Sequence, residues 1–336
     1  MSIHIDPESE VVLEIGVYTF ADSAAASSPA ERLRNLVEEM ELADQVGLDV
    51  FGVGEHHRPD YAVSAPAVAL AAGAVRTRRI RLTSAVTVLS SDDPIRVYQQ
   101  FATVDGLSNG RAEIMAGRGS FIESFPLFGY DLQDYDSLFA GKLEKLIALN
   151  AGEVAGVFPL SVQQPIPLWI AVGGTPQSVV RAASLGLPMA LAIIGGDPQR
   201  FAPYFDLYRE AAVKSGRKLE DVKLSLNMHG FVGETRDAAK ETFFQPHADV
   251  MNRIGRERGW PPQGRAHFEA ACGPNGHLLI GSPDEVAERI IALHHVFRHD
   301  RILIQMAIGA IPHKDVLKAI ELLGTRVAPK VKEALA

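Results

Sequence analysis

The chain has one cysteine, Cys272, in 336 residues. A lone thiol closes no internal disulfide and builds no multi-thiolate metal or iron–sulfur site, so the sequence reads as that of a reducing compartment. No apolar run approaches the roughly 18 residues that a membrane helix requires. The opening stretch, Met1 to Val12, mixes polar and charged residues and lacks the apolar core of a signal peptide, so a cytoplasmic protein is expected. Positive charge is also short: 33 Lys+Arg stand against 41 Asp+Glu, a net charge of −8. A nucleic-acid partner asks for a basic face and a domain pI above about 9, so that class is set aside. There is no GxxxxGK[ST] phosphate loop, no HExxH zinc helix and no GxSxG nucleophile elbow, which removes the sequence support for covalent serine or zinc hydrolysis. Tandem repeats, low-complexity tracts and Gly/Ser- or Pro-rich linkers are lacking too, which argues against a solenoid and against tethered domains.

What is present is an ordinary globular composition, 47% apolar and 22% charged. Strand-length apolar runs recur at Leu13–Val17, Val50–Val53, Leu82–Leu89, Ala112–Ala116, Leu168–Val172, Pro188–Ile194, Val222–Phe231 and Arg301–Ile308. Several are apolar on both alternating faces, the pattern of a parallel strand buried on two sides. Helical spacing fills the gaps, as in Leu33, Leu36, Val37, Met40 and Ala43, in Phe139, Leu143, Leu146 and Ile147, and in Val316, Ile320, Leu323 and Val327. Eight strand–helix steps without a composition break predict one (β/α)8 TIM barrel over residues 1–336. Three connections exceed the usual length and are expected as insertions: Gly117–Ser137 after the fourth strand, Gly152–Pro167 before the fifth, and Gly255–Ser282 before the eighth.

Barrel enzymes carry their chemistry at the C-terminal ends of the strands. The second run ends in Gly54-Glu55-His56-His57-Arg58-Pro59, where a histidine could act as acid, base or hydrogen-bond donor; a structural Glu–His–Arg network is the other reading. No ligand-spaced partner for a metal follows at another strand end. The third run leads into Asp93-Pro94, a helix cap and first-turn proline. The fourth ends in Gly117-Arg118-Gly119-Ser120, an Arg flanked by glycines that let backbone N–H groups approach an anion; Ile122 stands where a dinucleotide fingerprint needs its third glycine. The fifth ends in Gly173-Gly174-Thr175-Pro176-Gln177-Ser178, a helix start with outward N–H groups. Neighbouring strands bring Arg118 and this helix start toward one phosphate.

Five segments, GEHHRPDYAVSAP (Gly54–Pro66), SAVTVLSSDDP (Ser84–Pro94), GLSNGRAEIMAGRGS (Gly106–Ser120), WIAVGGTPQS (Trp169–Ser178) and GLPMALAIIGGDPQRF (Gly186–Phe201), together resemble the bacterial luciferase-like flavin monooxygenase family. The resemblance spans most of the chain. It implies a (β/α)8 barrel binding reduced FMN, or the deazaflavin F420 in some branches, at the C-terminal mouth. Arg118, Gly119, Gly173, Gly174, Thr175 and Ser178 correspond to its phosphate contacts, and His56 to its catalytic histidine, with Glu55 and His57 beside it. Ala85, Val86 and Thr87 match the segment lying against the isoalloxazine through a non-prolyl cis peptide, and Ile193 matches a residue beside the ring. Light-emitting members carry a reactive cysteine where this chain has Gly117, so the long-chain aldehyde substrate is not carried over. The implied reaction is oxygen transfer from O2 to a small organic substrate through a C4a-peroxyflavin, with FMN reduced by a separate reductase and the chain paired as a homodimer. Three alternatives remain: F420-dependent hydride transfer on the same barrel, a non-catalytic flavin-binding protein, and a metal-dependent hydrolase using His56 and His57.

Overall fold

A computed structural model describes residues 13–23, 28–119 and 121–336. The expectations for Met1–Val12 and for Ser120 lie outside them. Ten strands form in chain order: β1 (Glu14–Thr19), β2 (Val50–Val53), β3 (Arg81–Ser84), β4 (Thr87–Val88), β5 (Ala112–Gly117), β6 (Leu168–Val172), β7 (Met189–Ile193), β8 (Leu224–Val232), β9 (Leu279–Gly281) and β10 (Arg301–Gln305). The pairing runs β10-β1-β2-β3-β5-β6-β7-β8 and closes through β8 and β10, every pair parallel. With β3 and β4 as two halves of one stave, this is a closed (β/α)8 barrel. The stave breaks at Ala85-Val86, whose peptide is cis, and β4 resumes the pairing with β5 at Thr87↔Ala116.

Each strand places alternate residues on opposite sides. The outward set, including Ile15, Val17, Ile114, Ile170, Leu191, Leu226 and Ile304, is buried under the helices in one continuous core. The inward set, Tyr18, Val50, Ala85, Met115, Trp169, Ala190 and Leu303, packs the lumen. Gly16 is required on this inner face, since a Cβ there would come within 2.2 Å of the Val50 carbonyl oxygen. Below this layer the lumen is closed by an ion cluster. Arg301 binds Glu113 through both terminal nitrogens (2.6 and 3.0 Å) and Glu14 through Nε (2.7 Å), with its guanidinium 4.3 Å from the Trp169 ring centroid.

The helices start where local chemistry dictates. Ser28 and Asp93 cap the helices Pro29–Gln45 and Pro94–Ser108 through their side chains, and Ser282 with Glu285 forms a reciprocal capping box before Pro283–Phe297. The stretch read as an insertion from Gly255 begins inside a helix: Arg236–Arg258 runs past Gly255 and stops at Gly259, whose φ is +70°. Connection length misled there, because the segment from Gly255 to Arg258 continues the helix. Helix Arg265–Ala271 follows, then β9, a short strand outside the barrel that pairs with the Gly230–Val232 extension of β8. Between β5 and helix Tyr135–Asn150 lie two short helical turns, Ser124–Leu127 and Leu132–Asp134.

Candidate active site

The strand ends converge on a cavity of about 450 Å³ at the C-terminal mouth. From β2 come three neighbours with three fates. Glu55 turns to the wall: Oε2 accepts the Val88 N–H at 2.8 Å and Oε1 lies 2.8 Å from His57 Nε2. This pair fastens the loop to β4, so the structural network foreseen as an alternative exists for these two. Arg58 extends it, contacting Glu123 at 2.6 Å and Glu257 at 2.5 Å and thereby joining the loop to the 121–134 segment and to helix Arg236–Arg258. Glu55, His56 and His57 all line the cavity; the His56 ring stacks on Tyr61 at 4.2 Å between centroids and is met edge-on by Phe20 and Phe121. Burial, with the nearby His57 and Arg58 charges, pushes its pKa down to about 3, so the ring is neutral over the physiological range.

The wall formed by the broken stave is apolar. Ala85, Val86 and Val88 line the cavity, whereas Thr87 does not: its hydroxyl is buried without a partner among the described residues. Gly117 lies under Val86, and a Cβ there would come within 2.8 Å of Val86 Cγ2, so no side chain fits without displacing that wall. Gly119 adopts φ +78° with Val88 similarly close. Ile193 departs from the sequence-based expectation. It is fully buried in the outer core, while Ala190, Ala192 and Ile194 face the cavity. The period of two along β7 decides this, since one residue of offset changes the face.

Arg118 and the start of helix Pro176–Leu185 do meet. Nη2 of Arg118 lies 3.3 Å from Ser178 Oγ, and the Thr175 hydroxyl donates to the same Oγ at 2.8 Å. Thr175 is the helix N-cap, yet its side chain makes no cap bond, so its hydroxyl, that of Ser178 and the guanidinium gather beside Gly173; Arg118 and Gly173 line the cavity, whereas Gly174, at φ +96°, Thr175 and Ser178 are not among its lining residues. Arg118 also pairs with the exposed Asp136 at 2.7 Å and packs over the Tyr135 ring. Tyr135 in turn donates to the Gly119 carbonyl at 2.5 Å.

Sequence reasoning missed part of the lining. Asp22, Tyr61, Phe121, Arg258 and Trp260 come from loops and from the end of helix Arg236–Arg258. Asn227 and His229 come from β8, and Gln305 ends β10. A signal for the strand residues existed: Ser225, Asn227 and His229 are polar at every second position of an otherwise apolar run. His229 Nδ1 lies 3.3 Å from His247 Nε2 on helix Arg236–Arg258, and burial keeps both rings uncharged. Among the described residues no group of three or more His, Cys, Asp or Glu side chains is arranged to hold a metal ion. Cys272 lies outside the cavity lining, and burial pushes its thiol up to about 11.

A closed parallel barrel with a cavity at its C-terminal mouth is the architecture of the (β/α)8 barrel enzymes. The chain belongs to the luciferase-like monooxygenase family, whose sequence profile matches residues 13–299. Among relatives, the N-acetyl-S-alkylcysteine monooxygenase of Bacillus subtilis is 25% identical over 80% of this chain and 85% of its own length. Three solved structures share the fold. The monooxygenase RslO1 of Streptomyces bottropensis superposes with a TM-score of 0.83 at 24% identity, covering 94% of this chain and 99% of its own. The oxygenating constituent of 3,6-diketocamphane monooxygenase of Pseudomonas putida, solved with FMN, gives 0.77 at 16%, with 95% and 98% coverage. The coenzyme F420-dependent tetrahydromethanopterin reductase of Methanopyrus kandleri gives 0.71 at 19%, with 96% and 99% coverage.

Proposed function

We propose that this chain is a flavin-dependent monooxygenase that holds FMN in the mouth cavity and oxygenates a small, largely apolar organic substrate. One observation carries the reading: Arg118 and Gly173 line the cavity together with the apolar Ala85 and Val86, and the Arg118 guanidinium reaches the Ser178 hydroxyl, which the Thr175 hydroxyl also meets. Arg118, Ser178 and Thr175, with Gly119, Gly173 and Gly174, would hold the phosphate, and Ala85, Val86 and Val88 would face the ring. Reduced FMN, supplied by a separate reductase, contributes the electrons that activate O2. The chain's residues orient and shield. His56 offers a neutral ring that exchanges hydrogen bonds without adding charge, Glu55 and His57 hold its loop, and the Arg58 contacts to Glu123 and Glu257 draw the 121–134 segment and helix Arg236–Arg258 together over the mouth.

The test is a titration with FMN and with F420, followed by oxygen uptake with each reduced cofactor. FMN binding with oxygen uptake is expected; tight F420 binding with hydride transfer and no oxygen uptake would move the chain to the deazaflavin branch. FMN binding with neither oxygen uptake nor hydride transfer would make a non-catalytic flavin binder the better description, and an intact activity in His56→Ala would remove His56 from the catalytic machinery. A charge-assisted hydrogen bond contributes about 1.5–3 kcal/mol, so Arg118→Ala should weaken FMN roughly 10- to 100-fold. Asp136→Asn should tighten FMN severalfold, because Asp136 competes with the phosphate for Arg118. An unchanged Kd in Arg118→Ala sinks the rim assignment.

The same reading takes the whole chain as one barrel domain acting in the cytoplasm as a homodimer. Supporting the pairing is an open groove beside helices Pro29–Gln45 and Pro66–Arg76, lined by Leu33, Ala65 and Val68, with Val68 67% exposed. Val68→Asp should shift the sedimentation coefficient from dimer toward monomer; an unaltered value refutes this face.

A further inference from the structure

A carboxyl group not used above lies in the cavity wall. Asp22 follows Ala21, whose φ of +55° turns the chain after β1. Its backbone bridges Tyr61 in antiparallel register, and Ala62 N to Ala21 O and Ser23 N to Asp60 O bonds tie both sides of it to the loop carrying His56 and Tyr61. Asp22 is 5% exposed, and its Oδ2 has no hydrogen-bond partner among the described residues. The two guanidinium groups whose charge it feels are paired with other carboxylates, although Arg253 Nε has no hydrogen-bond partner among the described residues. Arg32 is bound to Glu39 at 2.9 and 3.1 Å, and Arg253 to Asp60 at 3.3 Å and to the Tyr61 side chain. The backbone of Gly309 supplies a hydrogen bond from the loop after β10, where φ is +64° and an added Cβ would stand 2.7 Å from the Pro246 carbonyl oxygen. A cavity carboxyl with no ion pair of its own binds its proton more tightly than a surface one.

We propose that Asp22 is a catalytic residue that carries the exchangeable proton of the cavity, passing it to and recovering it from the molecule bound there. The inference rests on the reading of this cavity as the reaction site. In the forward step the carboxyl O–H bond breaks and a new bond forms from the proton to an oxygen or nitrogen of the bound molecule. The carboxylate left behind is steadied by the Gly309 backbone and the fields of Arg32 and Arg253, and is reprotonated from solvent through the mouth. The groups facing Asp22 are Arg32 from helix Pro29–Gln45, Arg253 from helix Arg236–Arg258, Tyr61 from the loop after β2, and the Gly309 backbone. Burial outweighs the cations and pushes the carboxyl up to about 6. His56 has no such range, since its ring stays neutral far below pH 6.

The experiment is an infrared pH titration of the cofactor-free protein, wild type against Asp22→Asn. A protonated-carboxyl band that titrates near pH 6 and is missing from Asp22→Asn is expected; a midpoint near the usual carboxylate value of about 4 overturns the proposal. This arm needs no flavin, so it stands or falls apart from the cofactor assignment. A second arm uses the loaded enzyme. Asp22→Asn should keep its FMN Kd within about twofold of wild type while losing the pH limb near 6 in kcat/KM, and Asp22→Glu should restore a shifted limb. A limb that survives in Asp22→Asn overturns the assignment, and failure of wild type to bind FMN at all refutes the flavin reading instead. Should Asp22→Asn not fold, the wild-type titration and the Asp22→Glu limb decide the matter.

Discussion

Lowering the pH from 7 to about 5 should cost this protein several kcal/mol of stability. Burial holds His56 and His247 down to about 3 and His277 down to about 4, against an ordinary 6.5. The sign follows from proton binding. Below 6.5 the unfolded chain takes up protons at these positions and the folded chain does not, so stability falls from that pH downward until the folded values are reached. Between pH 7 and 5 each ring contributes about 1 kcal/mol per pH unit on average, and three together about 3 kcal/mol per unit, against a total stability on the order of 5–15 kcal/mol. His229 and His299, also depressed by burial, push the same way. Asp22, Asp92 and His313 work in the opposite direction, because in the fold burial or neighbouring carboxylates raise their proton affinity, and they offset part of the loss. Urea unfolding between pH 7.5 and 5 measures the slope. His277→Gln should flatten it by about 1 kcal/mol per unit, and a pH-independent midpoint contradicts the account.

The second large effect is expected at the bottom of the barrel. Arg301 and Glu113 are each 2% exposed and joined by two hydrogen bonds. Arg301→Met removes the cation and its contact with Trp169, and it leaves Glu113 with Arg81 alone, 3.3 Å away and partly exposed. Breaking a buried pair from one side typically costs about 3–5 kcal/mol, because the remaining charge stays desolvated. Replacing both partners, Arg301→Met with Glu113→Leu, should return much of that loss. Denaturant midpoints of the two variants distinguish the outcomes: a single variant within about 1 kcal/mol of wild type means that the cluster is dispensable.

The strands and their parallel order were legible because their burial on two sides writes long apolar runs into the sequence, as in Leu168–Val172. Arg118 and the Thr175-Pro176 helix start were legible because glycines and a residue of capping type mark a tight turn from strand to helix. Ile193 was misplaced because a run such as Met189-Ala190-Leu191-Ala192-Ile193-Ile194 is apolar on both faces, so composition does not say which face is the lumen; the pairing register does. Asp22 and Tyr61 were missed for a different reason. Their meaning comes from a single antiparallel bridge between two loops far apart in sequence, and from cations that other carboxylates already hold. Neither fact leaves a local trace.

The ion cluster beneath Met115 and Trp169 also has a kinetic consequence. With the far end plugged by Arg301 and Glu113, every visitor to the lumen uses the same doorway. Whatever settles deep, against Met115 and Ala190, must arrive before and depart after whatever sits near Arg258 and Trp260. The barrel therefore imposes a queue, and its kinetics should carry the signature of compulsory order.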